Sequence, residues 1–297
     1  MMNRTDSLRL LVLAAIWGSS FMFMRVLAPI LGPLWTAEVR VGVAGLALCG
    51  YFIVIRLDCQ WKRLWKEYLI VGIINTTIPF VLFAYAALHI PAAYSAIINA
   101  TTPLWAALFA ALWLGERLTP SKLVGVALGI VGVAIATGIG GEPIHGEVAL
   151  ALLACAGAAV CYAIGGVYMK KFVKGAKPMA LAGTSQLLSG LVLLPIALSV
   201  PMRATPTPTI WAIALVFSLL CSAVAYILYY GLMESVGPTR TLTVTFLIPV
   251  FAMFWGVVLL GESVQLHMIL GGAIVIFSTM LVLGFKLPAR LRLRASE

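Results

Sequence analysis

Long apolar runs, separated by short polar segments, repeat along this chain from end to end. Each run holds roughly 18 to 23 residues, and about 20 apolar residues suffice for a helix to cross a bilayer. The runs are continuous rather than alternating apolar with polar, so they do not indicate the strands of a membrane barrel. We therefore predict ten membrane-spanning helices, at about residues 8–28, 33–55, 68–88, 91–114, 121–139, 147–169, 179–200, 209–232, 239–260 and 264–285.

The same residue pattern recurs 146 positions later in the chain. A Gly-Glu pair ends one apolar run at Gly115-Glu116 and another at Gly261-Glu262. Pro103 and Pro249 lie at the same offset inside these runs. The chain is therefore interpreted as a duplicated unit of hydrophobic helices, a pattern found in membrane transporters.

The duplication fixes the expected architecture. We place the first five-helix repeat at residues 1–140 and the second, with a basic tail, at residues 141–297. Five is an odd number, so the second repeat enters the membrane with the opposite orientation. The predicted fold class is an all-α membrane protein with ten transmembrane helices, arranged as an inverted 5+5 repeat around a central cavity.

Composition and charge support a multi-pass membrane protein. Of 297 residues, 62% are hydrophobic and 10% are charged, whereas a soluble domain carries roughly 25% charged residues. The net charge of +10 could indicate a nucleic-acid partner, but the basic residues cluster in short loops. Most of them fall on one side if the N-terminus is cytoplasmic, so both termini are predicted there. The expected partners are lipid and a small-molecule substrate, with no nucleic acid; the oligomeric state is open and a monomer would suffice.

The first apolar run resembles a signal peptide in length. No small-residue cleavage site follows it, and it aligns with the start of the second repeat. We therefore expect it to be the first span rather than a leader.

Residue types needed for metal or covalent chemistry are scattered. The histidines, His89, His145 and His267, lie in three separate segments, and no two of the five cysteines form a CxxC pair. No Ser-His-Asp set or phosphate-binding motif is visible. We expect no metal, no cofactor and no enzyme activity.

Polar and aromatic side chains inside the apolar runs are the candidates for a binding cavity. A polar side chain is costly in lipid, so it should face the interior of the bundle. The predicted substrate-binding residues are Trp17, Asn75, Thr76, Tyr85, Tyr94, Asn99, Trp105, Tyr162, Ser222 and Tyr226. Each single aromatic residue has a second interpretation, as part of the belt at the membrane surface. A lining of rings, hydroxyls and amides suits an amphipathic, nearly neutral solute, such as an amino acid with an apolar side chain.

Three prolines inside the runs, Pro79, Pro103 and Pro249, are predicted to bend helices. Proline removes one backbone hydrogen bond and breaks the regular path of a helix. Such bends serve either gating or only the shape of the bundle.

Few charged residues lie in or beside the spans. Arg40 needs a partner at its depth, and we expect a structural tether, with a substrate carboxylate as the alternative. Glu116 and Glu262 follow helix-ending glycines and are expected to cap or lock loops. No Asp or Glu lies at mid-membrane depth, so a proton relay is not indicated. Glu38, near the start of the second span, is the remaining candidate, and facilitated export or exchange stays open.

Three segments carry a resemblance to a known family: AAIWGSSFMFMR at 14–25, PLW…LGERLTP at 103–120 and PVF…LLGES at 249–263. With the two-by-five pattern, the chain resembles the EamA-like transporters of the drug/metabolite transporter superfamily. Among subgroups, it is most similar to bacterial amino-acid and metabolite exporters of the YddG type.

The resemblance implies export across the inner (plasma) membrane. The central cavity would be lined by the first, third, fourth, sixth, eighth and ninth spans and would open alternately to each side. We expect hydrophobic or aromatic amino acids as substrates. A drug or nucleotide-sugar antiporter of the same superfamily, or a passive channel, is the alternative.

Overall fold

A computed structural model of the chain describes residues 3–138 and 146–284. The predicted repeat boundary at 140, His145 and the basic tail lie outside the described residues. The described helices are α1 Arg4–Leu31, α2 Pro33–Val54, α3 Trp61–Gly72, α4 Ile78–Ala86, α5 Ala92–Asn99, α6 Thr102–Leu114, α7 Pro120–Ala136, α8 Gly146–Phe172, α9 Pro178–Leu198, α10 Pro208–Ser218, α11 Ala225–Val236, α12 Pro238–Thr241, α13 Val244–Leu260 and α14 Leu266–Val282. Two π-helical turns, Ile73–Thr77 and Leu219–Val224, join α3 to α4 and α10 to α11.

The described residues form no strands, and seven helical segments among them are long and apolar enough to cross a membrane. These segments are Arg4–Leu31, Pro33–Val54, Trp61–Ala86, Ala92–Leu114, Gly146–Phe172, Pro178–Leu198 and Pro208–Val236. Three shorter apolar helices are Pro120–Ala136, Val244–Leu260 and Leu266–Val282. The prediction of an all-helical membrane protein is confirmed for the described residues, and the count of ten spans stays a prediction.

Local sequence signals set the helix ends. Gly115 and Gly261 follow α6 and α13 with φ of 69° and 66°, a left-handed conformation that glycine adopts without strain. The next helix, α7, begins where the Thr119 hydroxyl accepts a hydrogen bond from the Lys122 amide at 3.3 Å. Pro120 occupies the first turn of α7, where a missing N–H costs nothing.

Breaks inside the spans occur at repeat-related places. The two π-helical turns begin at Ile73 and Leu219, which are 146 positions apart. The segment Ala92–Leu114 is also interrupted, because α5 ends at Asn99 and α6 begins at Thr102. Such interruptions leave backbone groups and side chains free to face a cavity.

The three prolines lie at different places relative to the helix interruptions. Pro79 follows the first π-helical turn inside the helical segment Trp61–Ala86, and Pro103 follows the interruption between α5 and α6 inside the segment Ala92–Leu114. Pro249 lies inside α13. Bending of the spans by these prolines, and their role in gating, stay predictions.

Glycines allow close contact between the most extensively paired helices, α7 with α14 and α2 with α9. A Cβ atom at Gly271 would lie 2.3 Å from the backbone nitrogen of Ala136, and one at Gly45 would lie 2.5 Å from that of Leu187. Small residues at helix crossings let the two backbones approach closely. The resulting van der Waals contacts stabilise the helix pair, because the hydrophobic effect does not drive association in lipid.

We predict that Gly271→Ala lowers the stability of the protein by about 1–3 kcal/mol, because the added methyl group must push α7 and α14 apart. The matched control is Gly166→Ala on α8, where no atom lies within 4 Å of the new Cβ. Thermal unfolding in detergent micelles measures both. An unchanged melting temperature for Gly271→Ala would show that this contact is not tight.

Candidate functional site

A cavity of about 340 Å³ lies among the helices. Its wall receives side chains from α1, α2, α4, α5, α6, α8, α11 and α13 and from the first π-helical turn. Small-molecule sites have volumes of about 300–1,000 Å³, so the cavity has room for a small metabolite. The lining residues with polar or charged groups are Ser20, Arg40, Asn75, Asn99, Thr102 and Thr245, together with Trp17 and four tyrosines.

Stacked aromatic rings form one wall of the cavity. The Trp17 ring lies 6.2 Å from Tyr226 and 5.3 Å from Tyr229, centroid to centroid. Tyr226 stacks on Tyr230 at 6.1 Å, because residues four apart on α11 share one face. Such packed rings present a rigid surface with an apolar body and polar edges, suited to an aromatic or aliphatic group.

The first π-helical turn directs an amide into the cavity. Asn75 lies in the middle of this turn and lines the cavity. Gly165 of α8 makes room for it, since a Cβ atom there would lie 2.7 Å from the Asn75 Oδ1. Asn99, at the end of α5, adds a second amide to the wall.

Arg40 is a buried cation in the cavity wall. Only 6% of its surface is exposed, and its Nε donates to the Ser222 Oγ at 3.1 Å. Its Cζ lies 3.7 Å from the ring centroid of Phe80 and 4.9 Å from that of Phe217. The bond to Ser222 joins α2 to the second π-helical turn, as a tether would.

Half of the predicted binding residues lie together. Trp17, Asn75, Asn99, Tyr162 and Tyr226 line the cavity, as does Pro103. Their contact with a substrate stays a prediction.

The other five predicted residues lie outside the cavity wall. Thr76 is buried within the π-helical turn, and Trp105 is half-buried on α6. The Tyr85 ring packs 5.0 Å from His89, and the Tyr94 hydroxyl lies 3.2 Å from the His267 Nε2. The fifth, Ser222, reaches the site only through its bond to Arg40.

Several lining residues escaped the sequence analysis. Met24, Phe80, Phe83 and Met169 line the cavity but carry no polar group that would mark them within an apolar run. Tyr230 could have been found, because it lies one turn beyond Tyr226 on the same helix.

A network around Glu262 links several elements at one end of the bundle. The Arg25 Nε donates to the Glu262 Oε1 at 3.2 Å, and the Arg25 Nη1 donates to the Ala87 carbonyl at 2.7 Å. The backbone N–H of Ala92 donates to the Glu262 Oε2 at 3.1 Å, so this carboxylate also caps α5. The network therefore ties α1, the loop before α5 and the loop between α13 and α14, as expected for a loop-locking residue.

A second ion pair lies at the opposite end. The Lys170 Nζ lies 2.6 Å from the Glu116 Oε1, and this hydrogen bond holds the pKa of the Glu116 carboxyl below its usual value. The pair therefore persists at neutral pH and is lost only as the pH falls through that lowered pKa. Glu147, at the other end of α8, lies 3.5 Å from His89, near the Glu262 network. At about 1.5 Å per residue, the two ends of α8 are roughly 35 Å apart.

A second cleft, of about 490 Å³, lies near the Lys170 end, between the end of α2, the start of α9 and the end of α11. Tyr230 lies in the wall of both this cleft and the central cavity. Most of the other residues that line this second cleft are aliphatic, so we place the candidate site in the central cavity.

We predict that Glu262→Gln lowers the free energy of local opening at this end by about 1–3 kcal/mol. The substitution removes the negative charge that accepts hydrogen bonds from both Arg25 and Ala92. Hydrogen exchange of the backbone amides at residues 87–96 should then become faster. The repeat-related Glu116→Gln is the control and should leave that segment unchanged. Equal exchange in Glu262→Gln and the wild type would contradict the lock.

Comparison with known proteins adds independent information. The profile of the EamA-like transporter family matches residues 7–138 and 149–284. The chain is 28% identical over 283 residues to the transporter YvbV of Bacillus subtilis, covering 93% of this chain and 90% of that one. It is 26% identical over 276 residues to the inner membrane transporter YedA of Escherichia coli K12, covering 92% and 89%.

The chain is also similar to one further relative and to one solved structure. The chain is 25% identical over 270 residues to the protein PecM of Dickeya dadantii, covering 90% of this chain and 88% of that one. A solved crystal structure superimposes with a TM-score of 0.67 at 16% identity, covering 100% of both chains, and so shares the fold.

Proposed function

This chain belongs to the EamA-like transporter family, and from that premise we propose that it exports hydrophobic or aromatic amino acids through the central cavity. The observation that carries the proposal is the cavity wall, in which Trp17, Tyr226 and Tyr229 form an aromatic face near two amides. A solute with an apolar side chain and a polar head matches that lining. YedA is an inner membrane transporter by name, and we propose the same membrane for this chain.

The proposed topology has ten spans in an inverted 5+5 repeat with both termini in the cytoplasm. The three shorter apolar helices would then also cross the membrane. Support comes from the two π-helical turns at an offset of 146 positions and from α7 and α14, which begin at the same offset. The basic loops favour the cytoplasmic placement of the termini.

The two end networks suggest how the cavity opens alternately. Glu116 and Glu262 are 146 positions apart, while Arg25 and Lys170 are 145 apart, so the two ion pairs are related by the repeat. The Arg25–Glu262 pair is mostly buried, with side chains 30% and 11% exposed, whereas the Lys170–Glu116 pair is 65% and 35% exposed. We propose that each pair becomes buried when its end closes, and that the Arg25 end is the closed one here.

We predict that the purified full chain takes up labelled phenylalanine into liposomes with saturable kinetics. Tyr226→Ala and Asn99→Ala should lower uptake by about tenfold or more, because each removes a group from the cavity wall. Tyr51→Ala is the matched control, since Tyr51 is 40% exposed at the far end of α2 and lies outside the cavity.

Other outcomes would redirect the proposal. Unchanged uptake in well-folded Tyr226→Ala and Asn99→Ala would remove both residues from the site. Uptake of a labelled nucleotide sugar but not of phenylalanine or methionine would favour the antiporter alternative. A flux that never saturates would favour a passive channel.

We also predict that a pH gradient does not make phenylalanine accumulate, because no Asp or Glu lines the cavity among the described residues. The same liposomes, with and without the gradient, provide the measurement. Accumulation that depends on the gradient would contradict this and would make Glu38 the first residue to replace. Glu38 is buried on α2, and its Oε2 has no hydrogen-bond partner among the described residues.

A further inference from the structure

Arg40 is a buried cation that forms no ion pair with any described residue of the chain. We propose that the two terminal nitrogens of its guanidinium bind the carboxylate of the transported solute, so that a free carboxylate, rather than an ammonium group, is what the cavity recognises. The proposal rests on the proposed function, because it takes the cavity to be the path of the solute.

The guanidinium is buried and incompletely bonded. It lines the cavity with 6% of the residue surface exposed, yet its hydrogen bonding among the described residues consists of the bond from Nε to Ser222. No carboxylate of residues 3–138 or 146–284 lies within ion-pair distance of it. The two Nη atoms therefore have no protein acceptor in the described part of the chain.

The aromatic and titratable groups that surround Arg40 are neutral. Phe80 of α4 and Phe217 of α10 face the guanidinium with their rings. Tyr162 of α8 and Cys221 and Tyr226 of the α10–α11 segment are the nearby titratable groups, and all three are neutral in their ordinary state at pH 7. Glu38, two positions away on α2, points to another face of the helix and forms no ion pair with Arg40.

An anion that entered these surroundings would interact favourably with the Arg40 guanidinium. A charge in a membrane bundle pairs with another charge or with water, and an unpaired one marks a pathway or a ligand. A guanidinium presents parallel N–H groups that match the two oxygens of a carboxylate. Ser222, in the second π-helical turn, accepts from Nε, so the two Nη groups remain for a carboxylate.

The cavity offers no comparable site for an ammonium group. None of its described lining residues is Asp or Glu, so an amine would meet only the Asn75 and Asn99 carbonyls, hydroxyls and aromatic faces. Recognition by charge therefore falls on the acid end of the solute. Aromatic monocarboxylates that lack the amine should bind at least as well as the corresponding amino acids.

Four matched probes test this on the purified full chain in detergent. Phenylalanine has both groups, 3-phenylpropionate lacks the amine, phenylalaninamide lacks the carboxylate, and 2-phenylethylamine has only the amine. We expect equilibrium binding of the first two and binding of the last two that is weaker by roughly 10- to 100-fold, the range for loss of a charge-assisted hydrogen bond. Equal affinity for phenylalanine and phenylalaninamide would overturn the proposal without recourse to any variant.

Variants assign the effect to one residue. Arg40→Gln should lose the preference for 3-phenylpropionate over 2-phenylethylamine, whereas Arg40→Lys should keep part of it, because it keeps the charge without the fork. Arg203→Gln changes the net charge equally at an exposed position outside the cavity and should match the wild type. A full preference in folded Arg40→Gln would overturn the assignment.

Binding and flux separate this inference from the function on which it rests. Carboxylate binding that depends on Arg40 without uptake into liposomes would keep the binding site and contradict the transport proposal. Saturable uptake of phenylalanine that is inhibited equally by all four probes would keep transport and reject the carboxylate site. Absence of carboxylate binding by the wild type would reject the site outright.

Discussion

A polar group deep in this bundle is costly unless it has a partner inside the bundle or lines a cavity, because lipid offers no partner. Arg40 shows the consequence most directly: its Nε donates to Ser222, its guanidinium lies against the Phe80 ring, and the residue lines the cavity. The same constraint gives the α5 amide of Ala92 a partner in the Glu262 carboxylate. At the helix interruptions, the backbone N–H and C=O groups that lack a partner within the helix can bond to side chains or loops.

The two halves of the chain contain the same local features, but these features make different contacts. Each half contains a π-helical turn and a Gly-Glu corner. The Glu262 carboxylate nevertheless binds both a guanidinium and a helix N-terminus, while the Glu116 carboxylate binds two lysines near the surface. In an alternating-access cycle, each conformation would give the two Gly-Glu corners different contacts. The opposite conformation would exchange the contacts of the two corners.

The spans were predictable from sequence because apolar runs of this length have few other structures. The ends of the helices were harder to predict. The third segment begins at Trp61 rather than at residue 68, because its first turns carry the charged residues Lys62, Arg63 and Lys66, which lie outside the apolar run.

In the cavity, Trp17 and Asn75 stood out as polar or aromatic residues within apolar sequence. Phe80 and Met169 did not, because an apolar side chain looks the same whether it faces lipid or solute. The sequence predicts Tyr94 in the cavity because a polar side chain is costly in lipid. Its hydroxyl lies instead 3.2 Å from the Nε2 of His267, which comes from the other half of the chain and which only the fold brings near.

The most direct test of alternating access is uptake after the Arg25 end is joined covalently. In a background without the five native cysteines, Arg25→Cys and Glu262→Cys are combined, and a bis-methanethiosulfonate reagent links the two thiols through disulfide bonds. The account predicts that phenylalanine uptake into liposomes stops on linking, returns on reduction, and is unaffected in either single-cysteine variant. Uptake that continues at the unlinked rate while this end is held shut would contradict it.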